Sequence, residues 1–242
     1  MALPVLKHAF IELEIPSIKK KIRLRQMLSR EEKLVLMAKS APEETEEQRI
    51  SKNLDIVNSV KQVLNNAIVT SDVDVDHLAI FDLEYLFVKL RAFSASNIIK
   101  VGFIDNEDGE TYNFDIDLNK INIQWPENVK STIKVNDDVV INLKYPDASL
   151  YSDEKFLSSQ TGNEAAEFLI KNCVKDINGE KTEATDEEWK TFFDELPIQA
   201  YSDLHEFVFN TPHLYHVIEY KNKNEKERKI VLDSLSSFFQ FV

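Results

Sequence analysis

The chain has 242 residues, 43% of them hydrophobic and 15 of them Phe, enough apolar material for one large core or two modest ones and too much for a disordered chain. Its formal charge is −13, yet residues 1–40 hold nine Lys/Arg against four Asp/Glu, so a segment of +5 precedes a remainder of −18. An acidic body argues against a general nucleic-acid binder, whose affinity comes largely from phosphate neutralisation. The four glycines (Gly102, Gly109, Gly162 and Gly179) are too scattered for a phosphate cradle, and a single cysteine, Cys173, excludes an intrachain disulfide. The opening residues MALPVLKHAFIELEIP hold no apolar secretory core and no run reaches membrane-spanning length, so a soluble, cytosolically made protein is expected.

Residues 9–15 alternate polar and apolar, Pro16-Ser17 breaks the run, and residues 20–25 alternate again, which predicts a β-hairpin with one apolar face. Ser29, with Glu32 three residues on, offers a capping box for a helix to about Lys39. A second helix is expected over residues 46–68, striped by Ile50, Leu54, Val57, Val60, Leu64 and Ala67. The stripe suits a core face better than a coiled-coil seam, because fewer than four heptads are sustained.

The next segment, residues 72–91 (DVDVDHLAIFDLEYLFVKLR), is the centre of the expected core. On a helical wheel from Phe81, Leu83, Leu86, Phe87 and Leu90 make one apolar face, and Phe81, Tyr85, Val88 and Ala92 make another. Asp82 with Lys89, and Glu84 with Arg91, form two narrow charged stripes between them. A helix of this pattern is expected to lie between two layers.

From Asn97 the period becomes two. Strands are expected around Ile99–Phe103, Tyr112–Leu118, Ile121–Trp125, Ile133–Val135 and Val139–Tyr145, joined by turns too short for parallel crossovers. Helices should follow over residues 162–177, ended by Asn178-Gly179, then after Thr185 with its capping partner Glu188, then from Pro197. A last hairpin joins His213–Tyr220 to Arg228–Leu232 around the charged loop 221–227. The expected fold class is α+β. An N-terminal hairpin and helices over residues 1–96 end in the central helix, an antiparallel β region spans 97–148, and a C-terminal helical region with a terminal hairpin spans 149–242. The three could equally form one continuous globular unit.

Few residues suggest chemistry. Asp72, Asp74 and Asp76 imitate the start of a calcium loop, but His77 and Leu83 stand where Gly and Glu are required. His213 and His216 fall on opposite faces of a strand and have no cysteine companions, so no metal and no cofactor is expected. Cys173 lies on an apolar helix face, and no nucleophile-elbow motif or selective carboxylate spacing occurs, so no enzymatic activity is expected. The candidate partner-binding residues are the basic hairpin side chains Lys19, Lys20, Lys21 and Arg23, together with the terminal aromatics Phe238, Phe239 and Phe241. The bases either solvate the hairpin or dock an acidic protein, and the aromatics either close the core or meet a partner.

Several segments together resemble the baseplate hub protein family of T-even-type contractile-tail bacteriophages. They are MALPVLKHAFIELEIPS, Glu31-Glu32-Lys33, residues 76–91, DLNKINIQWPE at 117–127, IKVNDDVVINLKYP at 133–146, and the ending from Pro212 through Phe239. Some relatives carry a cysteine pair in the last hairpin; here that loop is KNKNEKE, so a metal role there does not carry over. The resemblance implies a non-enzymatic protein of tail morphogenesis that binds other hub proteins or the tape-measure protein in the host cytoplasm, with no nucleic-acid or membrane partner. It leaves open an assembly chaperone or a permanent hub subunit retained in the virion, with a tail-associated hydrolase as a lower alternative.

Overall fold

The computed structural model describes residues 4–40, 45–159, 161–235 and 237. The architecture is α+β, built, among the described residues, from small antiparallel sheets and seven α-helices. Two compact units divide the chain: Met1–Val75, Phe81–Gln124 and His213–Val242 in the first, Asp76–Ile80 and Trp125–Pro212 in the second. The formal charge is unequally shared. The first unit has 23 Asp/Glu against 21 Lys/Arg, a net −2, and the second 19 against 8, a net −11.

In the first unit, β1 (Phe10–Ile15) pairs antiparallel with β2 (Lys20–Arg25), with Leu13 opposite Ile22 and Ile11 opposite Leu24. These apolar residues and Ile15 face inward, as period-two alternation requires. The Lys19 amide closes the turn on the Ile15 carbonyl at 2.9 Å, with Lys19 in the left-handed region at φ 55. Helix α1 (Ser29–Lys39) starts one residue off the expected cap. Leu28 is the cap residue, and Glu31 rather than Glu32 reaches back to accept its amide at 2.7 Å. In α2 (Glu46–Ala67) the buried face is Ile56, Val60, Val63, Leu64 and Ala67, while Leu54 and Val57 are only half-buried. Residues just beyond α2 cover the edge of β2: Leu24 bridges Ile68, and the Val69 amide donates to the Arg23 carbonyl.

After a 3-10 turn at Val75–His77, α3 (Ile80–Ser94) runs as the buried centre. Leu83, Leu86, Phe87 and Leu90 from one expected face and Phe81, Val88 and Ala92 from the other are all buried, so the helix is enclosed on both. Strands β3 (Ile98–Ile104) and β4 (Thr111–Asp117) form a hairpin around Asp105–Gly109, where Gly109 sits at φ 72. Strand β5 (Asn122–Gln124) leaves that hairpin and joins a three-stranded sheet of order β10-β9-β5, with β9 at His213–Lys221 and β10 at Glu227–Leu232.

In the second unit, β6 (Thr132–Lys134), β7 (Val140–Leu143) and β8 (Val174–Ile177) form an antiparallel sheet in that order. The helix expected through Ile177 ends at Cys173, because Val174 turns extended and the next residues pair with β7. Asn178 and Gly179, with φ 56 and 83, are the left-handed pair of the tight turn that follows β8, not a helix stop. Around the sheet lie α4 (Glu154–Leu157), α5 (Gly162–Cys173), α6 (Asp186–Glu195) and α7 (Ile198–Phe209). Thr161 and Glu164 make a full capping box on α5, as Thr185 and Glu188 do on α6. The core joins Ile141, Leu169, Cys173, Trp189, Leu204 and Phe207. Residues 97–148 thus divide between the units, β3 to β5 in the first and β6 and β7 in the second.

Candidate interaction surfaces

The outer face of the β1–β2 hairpin carries two of the four predicted bases, Lys21 and Arg23, while strand alternation sets Lys20 on the inner side with Ile22 and Leu24. Glu14 stands opposite Lys21 and Glu12 opposite Arg23 across the strands. The Arg23 guanidinium lies 4.2 Å from the centre of the Phe10 ring, and its amide donates to Thr70 Oγ1 at 2.8 Å. Lys20 Nζ donates to the Asp72 carbonyl at 2.6 Å, which ties the hairpin to the approach to α3. Lys19 is exposed in the turn. The structure therefore sets Lys21 and Arg23 with Glu12 and Glu14 in a face of alternating charge rather than a bare cationic patch, and turns Lys20 away from it. Exposed beside this pattern are Phe10 and, at the turn, Ile18; Val5 and Leu6 are exposed in the lead-in. Phe238, Phe239 and Phe241 lie outside the described residues.

At the foot of β2, Arg25 pairs with the fully buried Glu31. Burial opposes ionisation of Glu31, but the Arg25 guanidinium and the Leu28 amide outweigh it and hold its carboxyl below the usual range.

The charges of α3, set by the helical wheel in two narrow stripes, are turned to internal use. Asp82 is wholly buried and accepts from the Ser17 amide at 2.9 Å and from the Ser17 hydroxyl, which anchors the hairpin turn. Glu84 accepts from the Leu235 amide at 3.0 Å; burial pushes its carboxyl up to about 7, against that hydrogen bond, with Asp233 adding to the rise. Lys89 Nζ donates to the carbonyls of Asn119 at 2.8 Å and Ile121 at 2.6 Å, with Leu118 at 3.3 Å, and lies near the Tyr85 ring. Burial lowers its pKa, partly offset by Asp117. Arg91 reaches Glu32 of α1 at 3.8 Å. One helix thus ties the hairpin, α1, the β4–β5 link and the stretch after β10.

A second built feature joins the acidic β3–β4 turn to the basic β9–β10 loop. Buried Asp105 accepts from the Tyr220 hydroxyl at 2.7 Å and from Arg228 Nε at 3.1 Å. Those bonds, led by Tyr220, hold its carboxyl below its ordinary value. Asp108 accepts from the Tyr112 hydroxyl at 2.7 Å and the Lys223 amide at 3.0 Å, while Glu107 and Glu110 pair with Lys226 and Lys223. The hydrogen bond to Asp108 pushes the Tyr112 phenol up to about 12. Tyr220 packs among the rings of Phe103, Tyr112 and Phe114. The loop KNKNEKE is therefore a clasp on the DNEDG turn, a complementarity of charge visible in the sequence but not drawn from it.

No group of three or more His, Cys, Asp or Glu stands ready to hold a metal among the described residues. Asp72 adopts the left-handed region at φ 63 and offers its carbonyl to Lys20. His213 and His216 pair opposite Gln124 and Leu232 in different ladders. Cys173 is buried, and burial pushes its thiol up to about 12, away from thiolate chemistry. No helix among the described residues is long and apolar enough to cross a membrane.

These features define an α+β protein whose buried charges hold elements together and whose outer hairpin face is exposed. The chain belongs to the T4 bacteriophage base plate protein family, whose family model matches residues 8–240. No curated protein and no solved structure shows a significant match. The resemblance seen in the sequence thus stands at the level of a T4-type phage baseplate protein.

Proposed function

We propose that this chain acts without catalysis in building the central hub of the phage baseplate, by binding other tail proteins during morphogenesis in the host cytoplasm. The observation that carries this reading is family membership over nearly the whole chain. The hairpin face supports it: Phe10 under Arg23, and Ile18 at the turn, are exposed apolar anchors beside cross-strand neighbours of opposite charge. Apolar anchors supply binding energy where water is excluded, and paired charges set orientation and encounter. The partners are hub proteins or the tape-measure protein, whose long helical chain would have apolar faces to cover until assembly.

Co-expression with each hub protein and the tape-measure protein, followed by affinity purification, tests the reading. A defined complex with one of them is expected, and no complex with any of them would end it. A second reading, as a permanent hub subunit, is favoured by the family's own description as base plate proteins. Mass spectrometry of purified virions separates the two, since stoichiometric recovery would establish the subunit and end the transient role. A cell-wall degradation assay on the pure protein is expected to be blank.

A further inference from the structure

Helix α7 of the acidic unit presents two opposed faces. Ala200, Leu204, Phe207 and Val208 point into the core, where Phe207 stacks on Tyr145 at 4.9 Å. On the other side Ile198, Ser202, His205 and Phe209 are exposed, at spacings of four, three and four residues that place them in one narrow stripe. Ile198 is 90% exposed and Phe209 52%, and the His205 ring stacks on Phe209 at 4.3 Å. At 1.5 Å per residue the stripe is about 16 Å long. Ile198 at one end and the Phe209 ring, stacked by His205, at the other make the two apolar ends of an exposed ridge, with polar Ser202 between them.

The surroundings of the ridge say what would fit it. Together α6 and α7 carry seven carboxylates (Asp186, Glu187, Glu188, Asp194, Glu195, Asp203 and Glu206) against one base, Lys190; Asp186 is already paired with Lys155 and Lys171, which leaves six. Glu206 flanks the stripe on one side. On the other stands half-buried Tyr201, whose phenol is raised first by burial and then by the charges of Glu167 and Asp194. Lys130 is the one base that shares a small cleft with Asp203 and Glu206. A second copy of the same face would meet it with like charge.

We infer that the α7 ridge is a docking site for a basic amphipathic helix of a partner protein, its apolar side on Ile198 and Phe209 and its Lys or Arg side chains over the flanking carboxylates. This rests on the reading that the chain works by binding other tail proteins. A partner helix of three to four turns matches the ridge, and ridges-into-grooves packing suits an i, i+4, i+7, i+11 stripe. The flanking charge selects its sign.

The test uses the full chain and two synthetic peptides of about 14 residues with leucines at matching helical spacing, one with lysines on the polar face and one with glutamates. Binding is followed by calorimetry, and its place by amide hydrogen exchange. The lysine peptide should bind, protect residues 198–209, and weaken at least about tenfold between about 0.05 and about 0.5 M salt. Ile198→Asp with Phe209→Asp should weaken it by about tenfold or more without lowering the melting temperature. Glu206→Lys, a milder change, should weaken it severalfold. The inference is overturned by no binding of the lysine peptide, by equal binding of the glutamate peptide, by protection elsewhere, by variants that bind as wild type, or by self-association of the chain through this ridge. If wild type captures a hub or tape-measure protein and the Ile198/Phe209 variant captures it equally, the ridge fails while the proposed function stands. If wild type captures none, the proposed function itself fails.

Discussion

Replacing Asp82 by alanine removes a fully buried carboxylate that takes both the amide and the hydroxyl of Ser17, 65 residues earlier in the chain. A hydrogen bond to a charged group contributes about 1.5–3 kcal/mol, and two bonds on one carboxylate do not add fully. The half-buried Ser17 amide would also lose its partner in a hairpin turn whose backbone is already committed. A loss of about 3 kcal/mol is expected, which for a chain of this length lowers the melting temperature by about 6–12 °C. Ser17→Ala removes only the hydroxyl bond and should cost about 1 kcal/mol. The double variant should lose less than the sum of the singles, because both act on one contact. Urea unfolding of the four proteins measures this, and hydrogen exchange at residues 15–20 should speed up in Asp82→Ala. An Asp82→Ala protein within about 0.5 kcal/mol of wild type, or a strictly additive cycle, would refute the assignment of Asp82 as the anchor of the turn.

Leu86→Asp puts a charge into the enclosed centre of α3 and should unfold the protein by circular dichroism; a folded variant that merely loses a partner would show that face to be an interface. Glu84 is the pH-sensitive carboxyl: its folded value, about 7, lies above the ordinary 4.5, so the folded state holds the proton more tightly. The contribution of this group to stability should therefore be greatest below about 4.5 and fall as pH rises toward 7, by up to about 3 kcal/mol. Glu84→Gln, which keeps an acceptor for the Leu235 amide, should flatten that slope in urea titrations at pH 5 and pH 7.5; an unchanged slope would rule out Glu84 as its source. Cys173, buried with its thiol at about 12, should react with a thiol reagent only as fast as the second unit opens, and a rapid reaction in the native protein would contradict its place in the core.

The resemblance to phage baseplate proteins was legible because it rests on ordered apolar patterns along most of the chain, and the family match covers residues 8–240. The surfaces were legible only in part. The basic hairpin side chains could be named from composition, but that Glu12 and Glu14 would stand opposite Arg23 and Lys21 depends on strand register. The α7 ridge is not legible in the sequence, because Leu204, Phe207 and Val208 also recur at helical spacing and suffice to make that helix a core element. Its second, exposed stripe becomes visible only when the two faces are separated by burial.

What local sequence determined was whatever depends on neighbours within a few residues. The alternation of residues 10–25 made a hairpin, the Thr185–Glu188 spacing capped α6, and the doubly apolar pattern of α3 required burial on both sides. Tertiary structure decided what depends on partners far along the chain. Residues 122–124 pair with 213–215, residues 174–177 left the helical pattern to join β7, and Glu84 met an amide 151 residues away. A helical wheel places charges in a stripe but cannot say whether water or a distant backbone will face it. In α3 the hydrogen-bonding groups of the hairpin turn, the β4–β5 link and the stretch after β10 took those charges, and their bonds offset part of the cost of desolvating them, a cost still seen in the raised carboxyl of Glu84 and the lowered pKa of Lys89.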